Sequence, residues 1–419
     1  MGSKILLLLT FINSVSLSTA EFTVGVNYGR VADNLPPPSQ VSQFIITQTT
    51  INHVKIFDAN PDVIKAFANT NISLTITVPN DAVSAVSKPS AAQSWVYDNV
   101  LPFLPATKIK RILVGNEILA TGDKAVISRL LPSMKAIHSA LQSANVEIQV
   151  STPHSLGILS VSDPPSSGRF RRVYDRVIFA PILEFHRQTK TPFMVCPYPY
   201  FGYNEKTLDY ALFKPNGGVL DKATGVNYTN MLDAQMDAVY SAMKRVGYGD
   251  VDIVVAETGW PSAGNPNQFG VSVDDAASYN GNLMKHMNSG AGTPLMPNRT
   301  FETFIFSLFN ENLKTKGPSP EAPSPSSDTG TKKWCITKEE ATDAELQANI
   351  DFVCGSGVDC KPIQGGGPCY EPDNVRSHAS YAMNAYYQAH GRNDFDCDFS
   401  NTGVVSSSDP SYEECAYAA

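Results

Sequence analysis

Cysteine is nearly missing from most of this chain: of seven, only Cys196 lies before residue 330. That excludes a disulfide framework over the long first stretch, which has to be held by a hydrophobic core. Charge is sparse as well, at 17% of residues with a net charge of -8, and lysine and arginine are not gathered into a patch. The lack of clustered cations weighs against a nucleic-acid surface. No glycine-rich GxGxxG turn follows the first strand-like run, which weighs against a dinucleotide-binding open sheet. Histidines and cysteines lack compact ligand spacing, so neither a metal nor a cofactor is expected. No transmembrane segment is visible. The chain closes on "SYEECAYAA" rather than on the hydrophobic tail of a GPI signal.

What is present divides the chain. "MGSKILLLLTFINSVSLSTA" places one lysine before an apolar block that ends in small residues. This reads as a signal peptide over 1–20, with a secreted, extracellular mature chain. Sequons at Asn71, Asn227 and Asn298 fit glycosylation of such a chain. Six cysteines, Cys335, Cys354, Cys360, Cys369, Cys397 and Cys415, crowd the last stretch and predict three disulfides, with the connectivity left open. Between the two regimes, "TKGPSPEAPSPSSDTGTKK" is rich in proline and serine and has no apolar period. The expected domains are therefore 21–316 and 334–419, joined by a linker over 317–333.

The large segment alternates strand and helix signals. Its strand-like runs are "FTVGVNYG", "HVKIFDA", "SLTITVP", "IKRILVGNE", "EIQVSTPHS", "TPFMVCPYP", "VDIVVAETGW" and "FETFIFSLFNE". Helix-length stretches such as "TNMLDAQMDAVYSAMKRVG" lie between many of them. The alternation predicts parallel strands with crossover helices, and this number of strands suits a closed (β/α)8 TIM barrel, an α/β fold. Barrel enzymes carry their chemistry at the C-terminal strand ends. Glu117, Glu257 and Glu311 each end an apolar run there, where an unpaired buried carboxylate would be costly. A pair of carboxyls suits glycoside hydrolysis, one protonating the leaving oxygen and one attacking or activating water. Tyr28, Tyr198, Tyr200, Phe201, Trp260 and Phe309 gather near the same ends. Of these, Tyr28 and Tyr198 are favoured as groove residues, since flat rings pack on sugar C–H faces; Tyr200 and Phe201 also suit a core.

The segments "GVNYGRVADNLPPP", "VKIFDANPDV", "ILVGNE", "YPYFGYN", "VAETGWPSAG" and "TFETFIFSLFNENLK" closely resemble plant glucan endo-1,3-β-glucosidases of glycoside hydrolase family 17. The resemblance implies a barrel with an open groove and retaining hydrolysis of internal 1,3-β-D-glucosidic bonds. It implies Glu117 as acid/base, Glu257 as nucleophile, Glu311 and Lys314 as an accessory pair, and Asn116 as a hydrogen-bond partner of the sugar; of the rim aromatics, Tyr28, Tyr198 and Trp260 are expected to bind substrate. Lys314 is then expected near both Glu311 and Glu257, and Glu117 should hold a proton through neighbouring negative charge and partial burial. "WCITKEEATDAELQANIDFVCG", "DCKPIQGGGPCYEP" and "CDFSNTG" resemble the X8 module, carbohydrate-binding family 43, a small disulfide-rich α+β domain. That resemblance implies β-1,3-glucan as the partner and the pairs Cys335–Cys397, Cys354–Cys360 and Cys369–Cys415. Tyr381, Tyr386 and Tyr387 are candidates for a sugar-facing surface. A monomer in the cell wall or apoplast is expected.

Two departures from the family pattern stand out. Cys196 occupies a position where the family usually has asparagine, near the nucleophile strand. The loop and helix that usually follow "FNENLK" are missing, so the barrel end is expected to be truncated. In strict alternation, Phe309, Ser307 and Ile305 would then share the inward face of Glu311, and Phe304, Phe306 and Leu308 would point outward without cover. A loosened seam between the eighth and first strands is the expectation. It leaves open the alternative of a weak or inactive glucan-binding wall protein.

Overall fold

The computed structural model describes residues 24–264, 268–314, 333–355, 358–389, 392 and 394–418. The N-terminal apolar block and nearly all of the linker lie outside the described residues. Eight parallel strands form the large unit: β1 (Val24–Tyr28), β2 (His53–Ile56), β3 (Ser73–Val78), β4 (Ile109–Val114), β5 (Gln149–Ser151, continuing as Pro153–Ser155), β6 (Phe193–Cys196), β7 (Ile253–Thr258) and β8 (Thr303–Ile305). The first half of β5 pairs with β4 and the second half with β6, and β8 pairs with both β7 and β1. The ring is thus closed. Around it run α1 (Pro38–Gln48), α2 (Pro61–Ala66), α3 (Pro89–Asn99), α4 (Lys124–Ser143), α5 (Ala180–Thr189), α6 (Met231–Arg245) and α7 (Val273–Asn288). Asn60, Asp123, Asn230 and Ser272 cap four of them, each accepting from backbone N–H groups that have no intrahelical partner.

The interior of the ring is filled in layers. At the N-terminal end Glu302 receives Lys110 at 2.9 Å and Arg111 at 3.1 Å, with His53 Nδ1 2.7 Å away. Burial alone would raise the Glu302 carboxyl, but the His53 hydrogen bond and the Arg111 charge outweigh it and hold it far below the usual carboxylate range. Above lie Leu113, Met194, Val254, Ala256 and Phe304. Phe304 fits because Gly25 faces it: a β-carbon there would meet the ring at 2.4 Å.

The seam corrects the expectation of a loosened barrel end. Phe304 points inward and is fully buried, edge-on to His53 with ring centroids 4.8 Å apart, whereas Ile305 packs outward. The parity inferred from Glu311 fails because the strand stops at Ile305, and the irregular chain from 306 to 314 does not preserve alternation. Backbone bonds then continue the closure: Leu308 donates to Asn27 at 2.9 Å and Leu313 to Val31 at 3.1 Å. Asn312 and Asp33 also exchange hydrogen bonds across it.

The small unit, taken by itself, pairs β9 (Trp334–Thr337) antiparallel with β10 (Gly403–Ser406) beside α8 (Asp343–Gly355) and α9 (Val375–Ala389). Disulfides join Cys335–Cys397, Cys354–Cys360 and Cys369–Cys415. Tyr387 is wholly buried in its core, which removes it from the candidates for a sugar-facing surface; Tyr381 packs edge-on to Tyr417. Tyr386 packs with Phe352 and Phe399.

Three buried histidines make the barrel acid-sensitive. Burial pushes His154 down to about 3. His186, also near the positive sides of His154 and Arg111, falls to about 3 as well. Burial takes His53 to about 4 against the opposing pull of Glu302. A histidine lowered in the fold but ordinary when unfolded leaves stability unaffected above pH 6.5 and erodes it as pH falls below that value. Each costs about 1.4 kcal/mol per pH unit until its folded value is reached. Neither ring nitrogen of His154 has a hydrogen-bond partner, so His154→Met removes titration without stranding a donor. Denaturant midpoints measured from pH 7 to pH 4 should fall less steeply in this variant. Parallel curves would show that His154 does not titrate on unfolding.

Candidate active site

The C-terminal strand ends bring together Asn27, Lys55, Asn116, Glu117, Cys196, Tyr198 and Glu257. Glu257 reaches this mouth through a bulge. Along β7, Val255 pairs with Thr303 and Thr258 with Ile305, so the strand carries one residue more than its neighbour. Val255 and Thr258 both face outward, Thr258 bonding to Tyr279 of α7, while Val254 and Ala256 face inward. The extra residue aims Glu257 inward beside Ala256. There Oε1 lies 2.7 Å from Lys55 Nζ, and Oε2 accepts from the Tyr198 hydroxyl at 3.0 Å. Glu257 is 6% exposed and Lys55 is 0% exposed.

Glu117 follows β4 in a left-handed conformation, φ 51°, which a non-glycine residue adopts only when its surroundings impose it. Its N–H donates to Pro153 O at 3.1 Å, and the preceding Asn116 is clamped to Asn80 by N–H to Oδ1 at 2.7 Å and Nδ2 to O at 3.0 Å. Burial, with the Glu257 charge second, pushes the Glu117 carboxyl up to about 7; a Cys196 hydrogen bond and Lys55 pull weakly the other way. Cys196 is buried and free, and burial together with the charges of Glu257 and Glu117 pushes its thiol well up. It therefore stays S–H, able to donate toward Glu117. Two carboxyls in one mouth thus occupy opposite environments. One is poised to keep a proton near neutrality; the other is held against a buried ammonium.

Several expectations need correcting. The cation on Glu257 is Lys55, whereas Lys314 pairs with Glu311 at 2.6 Å and is 47% exposed. Glu311 also accepts from Val31 N–H at 2.8 Å and lies over Gly29, where a β-carbon would meet its carboxylate at 2.4 Å. Tyr28 is buried edge-on to Phe309 rather than open to a groove. Trp260 is also buried, its indole donating to Gly270 O at 2.7 Å among Tyr200, Tyr203 and Tyr279. Phe201, which suited a core, is 64% exposed and packs on Tyr198. Phe57 and Phe306 complete the mouth, Phe306 beneath Lys314 with Nζ 4.4 Å from the ring centre. Lys55, Asn27 and Phe57 escaped the sequence reading, and Phe306, expected to point outward, packs instead with Phe57 and Tyr198. The available signal was a lysine inside the apolar run "HVKIF", since a charge on a buried strand needs partners.

A concavity at the opposite end is lined by Lys110, Arg111 and Glu302, whose charges are already paired with one another. Among the described residues there is no group of three His, Cys, Asp or Glu side chains able to hold a metal, and no helix is long and apolar enough to cross a membrane. Asn71, Asn227 and Asn298 are all exposed.

A carboxyl titrating near pH 7 is expected in a carbon-13 NMR titration of glutamate-labelled protein, and it should vanish in Glu117→Gln. Cys196→Ala removes a hydrogen bond that favours the ionised form, so the same resonance should then titrate at higher pH. A downward shift would contradict donation from the thiol.

The profile of "Glycosyl hydrolases family 17" matches residues 24–342, and that of the "X8 domain" matches 333–404. A glucan endo-1,3-beta-glucosidase of Triticum aestivum is 49% identical over 96% of this chain and 95% of its own length. A glucan endo-1,3-beta-D-glucosidase of Olea europaea is 42% identical over 98% and 97%. Among solved structures, CJP38, a beta-1,3-glucanase and allergen of Cryptomeria japonica pollen, superposes with a TM-score of 0.66 at 43% identity, covering 70% of this chain and 92% of that one.

Proposed function

The chain belongs to glycosyl hydrolases family 17 and carries an X8 domain, and from that premise we propose that it cleaves internal 1,3-β-D-glucosidic bonds with Glu117 as acid/base and Glu257 as nucleophile. The observation that carries the assignment is the split between the two carboxyls: Glu117 is pushed up to about 7, while Glu257 lies 2.7 Å from Lys55. In the first step Glu117 gives its proton to the glycosidic oxygen as Glu257 attacks the anomeric carbon, and the C–O bond to the leaving sugar breaks. In the second, Glu117, now ionised, takes a proton from water as that water displaces Glu257 from the sugar. The Tyr198 hydroxyl holds the attacking carboxylate, and the rings of Tyr198, Phe201 and Phe306 offer faces to the sugar chain.

An inactive barrel is disfavoured. That reading leaned on an open seam and on the Cys196 replacement. The seam is bonded, and with Cys196 beside them Glu117 keeps its raised carboxyl and Glu257 its contact with Lys55. The X8 domain supplies the glucan-binding module. A signal peptide over 1–20, secretion to the wall, glycans on exposed Asn71, Asn227 and Asn298, a monomeric state and the division into 21–316 and 334–419 complete the reading.

Glu257→Ala would strand the buried Lys55 ammonium and cost about 3 to 5 kcal/mol of stability, so Glu257→Gln is the cleaner probe. Turnover on laminarin should fall by about 1,000-fold or more with little change in melting temperature. Proton NMR of the first-formed product should show the β anomer. An α product, or a Gln variant keeping a tenth of wild-type turnover, would remove Glu257 from the nucleophile role. The full chain should sediment with insoluble 1,3-β-glucan and not with cellulose; equal sedimentation with both would count against the specificity assigned to the X8 domain.

A further inference from the structure

Lys55 has a position that the two-carboxyl mechanism does not itself require. It stands on β2 inside the ring, wholly buried, where its long stem leaves no path to water. Its ammonium points to three acceptors contributed by three other strands: Asn27 Oδ1 at 2.9 Å from β1, Glu257 Oε1 at 2.7 Å from β7, and Asn116 Oδ1 at 3.5 Å just beyond β4. The Phe57 ring lies on its remaining side, 3.8 Å from Nζ to the ring centre. An ammonium has three N–H bonds, and all three are directed.

The orientation of this hub is set from below. Asn27 donates its Nδ2 to the backbone carbonyls of Ala256 and Ile305, at 3.2 and 3.4 Å. Those carbonyls accept only, so Asn27 must turn its Oδ1 toward Lys55. The same logic then passes outward. With Oδ1 of Asn116 facing the ammonium, its Nδ2 is the end left for a sugar hydroxyl. The Asn116 backbone is already clamped to Asn80, so this side-chain choice is the remaining freedom.

We propose that Lys55 is a positioning residue for the reaction, its single ammonium setting both the aim of the Glu257 carboxylate and the donor-outward orientation of the Asn116 carboxamide. The inference rests on Glu257 being the nucleophile. The groups facing that carboxylate are Lys55 from β2, Tyr198 beyond β6, Cys196 at the end of β6 and Glu117 beyond β4. Among them only Lys55 carries positive charge, so no neighbour can substitute for it. Lys314 cannot, being paired with Glu311.

The test compares Lys55→Met, Lys55→Gln and Lys55→Arg in the full chain, with laminarin kinetics across pH and thermal melts alongside. Met removes charge and donors, Gln restores a donor without charge, and Arg restores both. In Met and Gln the loss should fall on kcat rather than on KM, because the aim of the carboxylate is lost while the rings that face the sugar remain. Turnover at the optimum should fall about 100-fold in Met, as expected for a displaced nucleophile, with substantial recovery in Arg. Lys55→Met and Asn116→Ala should combine less than additively, since the first already releases the carboxamide. Should Met fail to fold, the kcat of Gln decides. An unchanged kcat in a folded Gln or Met variant overturns the proposal, as does full additivity with Asn116→Ala. Glu257→Gln is measured in parallel. If it stays active, the nucleophile reading fails and this inference with it; if it is inactive while kcat in the Lys55 variants is unchanged, only the role of Lys55 fails.

Discussion

A buried ammonium is tolerable only where oxygen atoms surround it, and the placement of Lys55 therefore constrains everything at the mouth of this barrel. Asn27, Asn116 and Glu257 come from β1, the end of β4 and β7, and they meet at one nitrogen. The closed ring supplies the rigidity that this meeting requires. A seam that opened between β8 and β1 would move Asn27, whose side chain bonds to Ile305 O at the end of β8, and the hub would lose its base. Closure of the fold and the partners of Glu257 are in this sense one problem.

The barrel solves it by segregating charge. A second ionic cluster, Glu302 with Arg111, Lys110 and His53, occupies the N-terminal end. Between the clusters lies a layer of Leu113, Met194, Val254, Ala256 and Phe304. The lower cluster satisfies itself and stabilises the plug. The upper one is deliberately incomplete, since Glu117 has burial and a like charge beside it with only weak compensation from Cys196 and Lys55. That imbalance keeps a proton available near neutrality, which is what acid catalysis needs.

Cys196 shows how a thiol is accommodated beside two carboxyls. Its thiol is small and deeply buried, and the negative charges around it keep it protonated. The chain beyond β8 is held in another way: backbone bonds at Leu308 and Leu313, and the Glu311 carboxylate on Val31 N–H, lace the first and last segments together.

The sequence alone determined the alternation of strands and helices, the eight strand locations, the division by cysteine content and the three glutamates at strand ends, because these depend on local period and composition. Tertiary structure decided the rest. The strict two-residue period predicted Phe304 outward, but the strand is too short to carry parity from Glu311, so Phe304 fills the core over Gly25. A bulge in β7, invisible in "IVVAETGW", turns Glu257 into the mouth. Which lysine meets which carboxylate is likewise a matter of distance in space: Lys55 lies 202 positions from Glu257 along the chain, Lys314 only three from Glu311. Pattern reading sees neighbours on a face. The environment of a carboxyl at the mouth is set by whatever closure of the ring brings within a few ångströms.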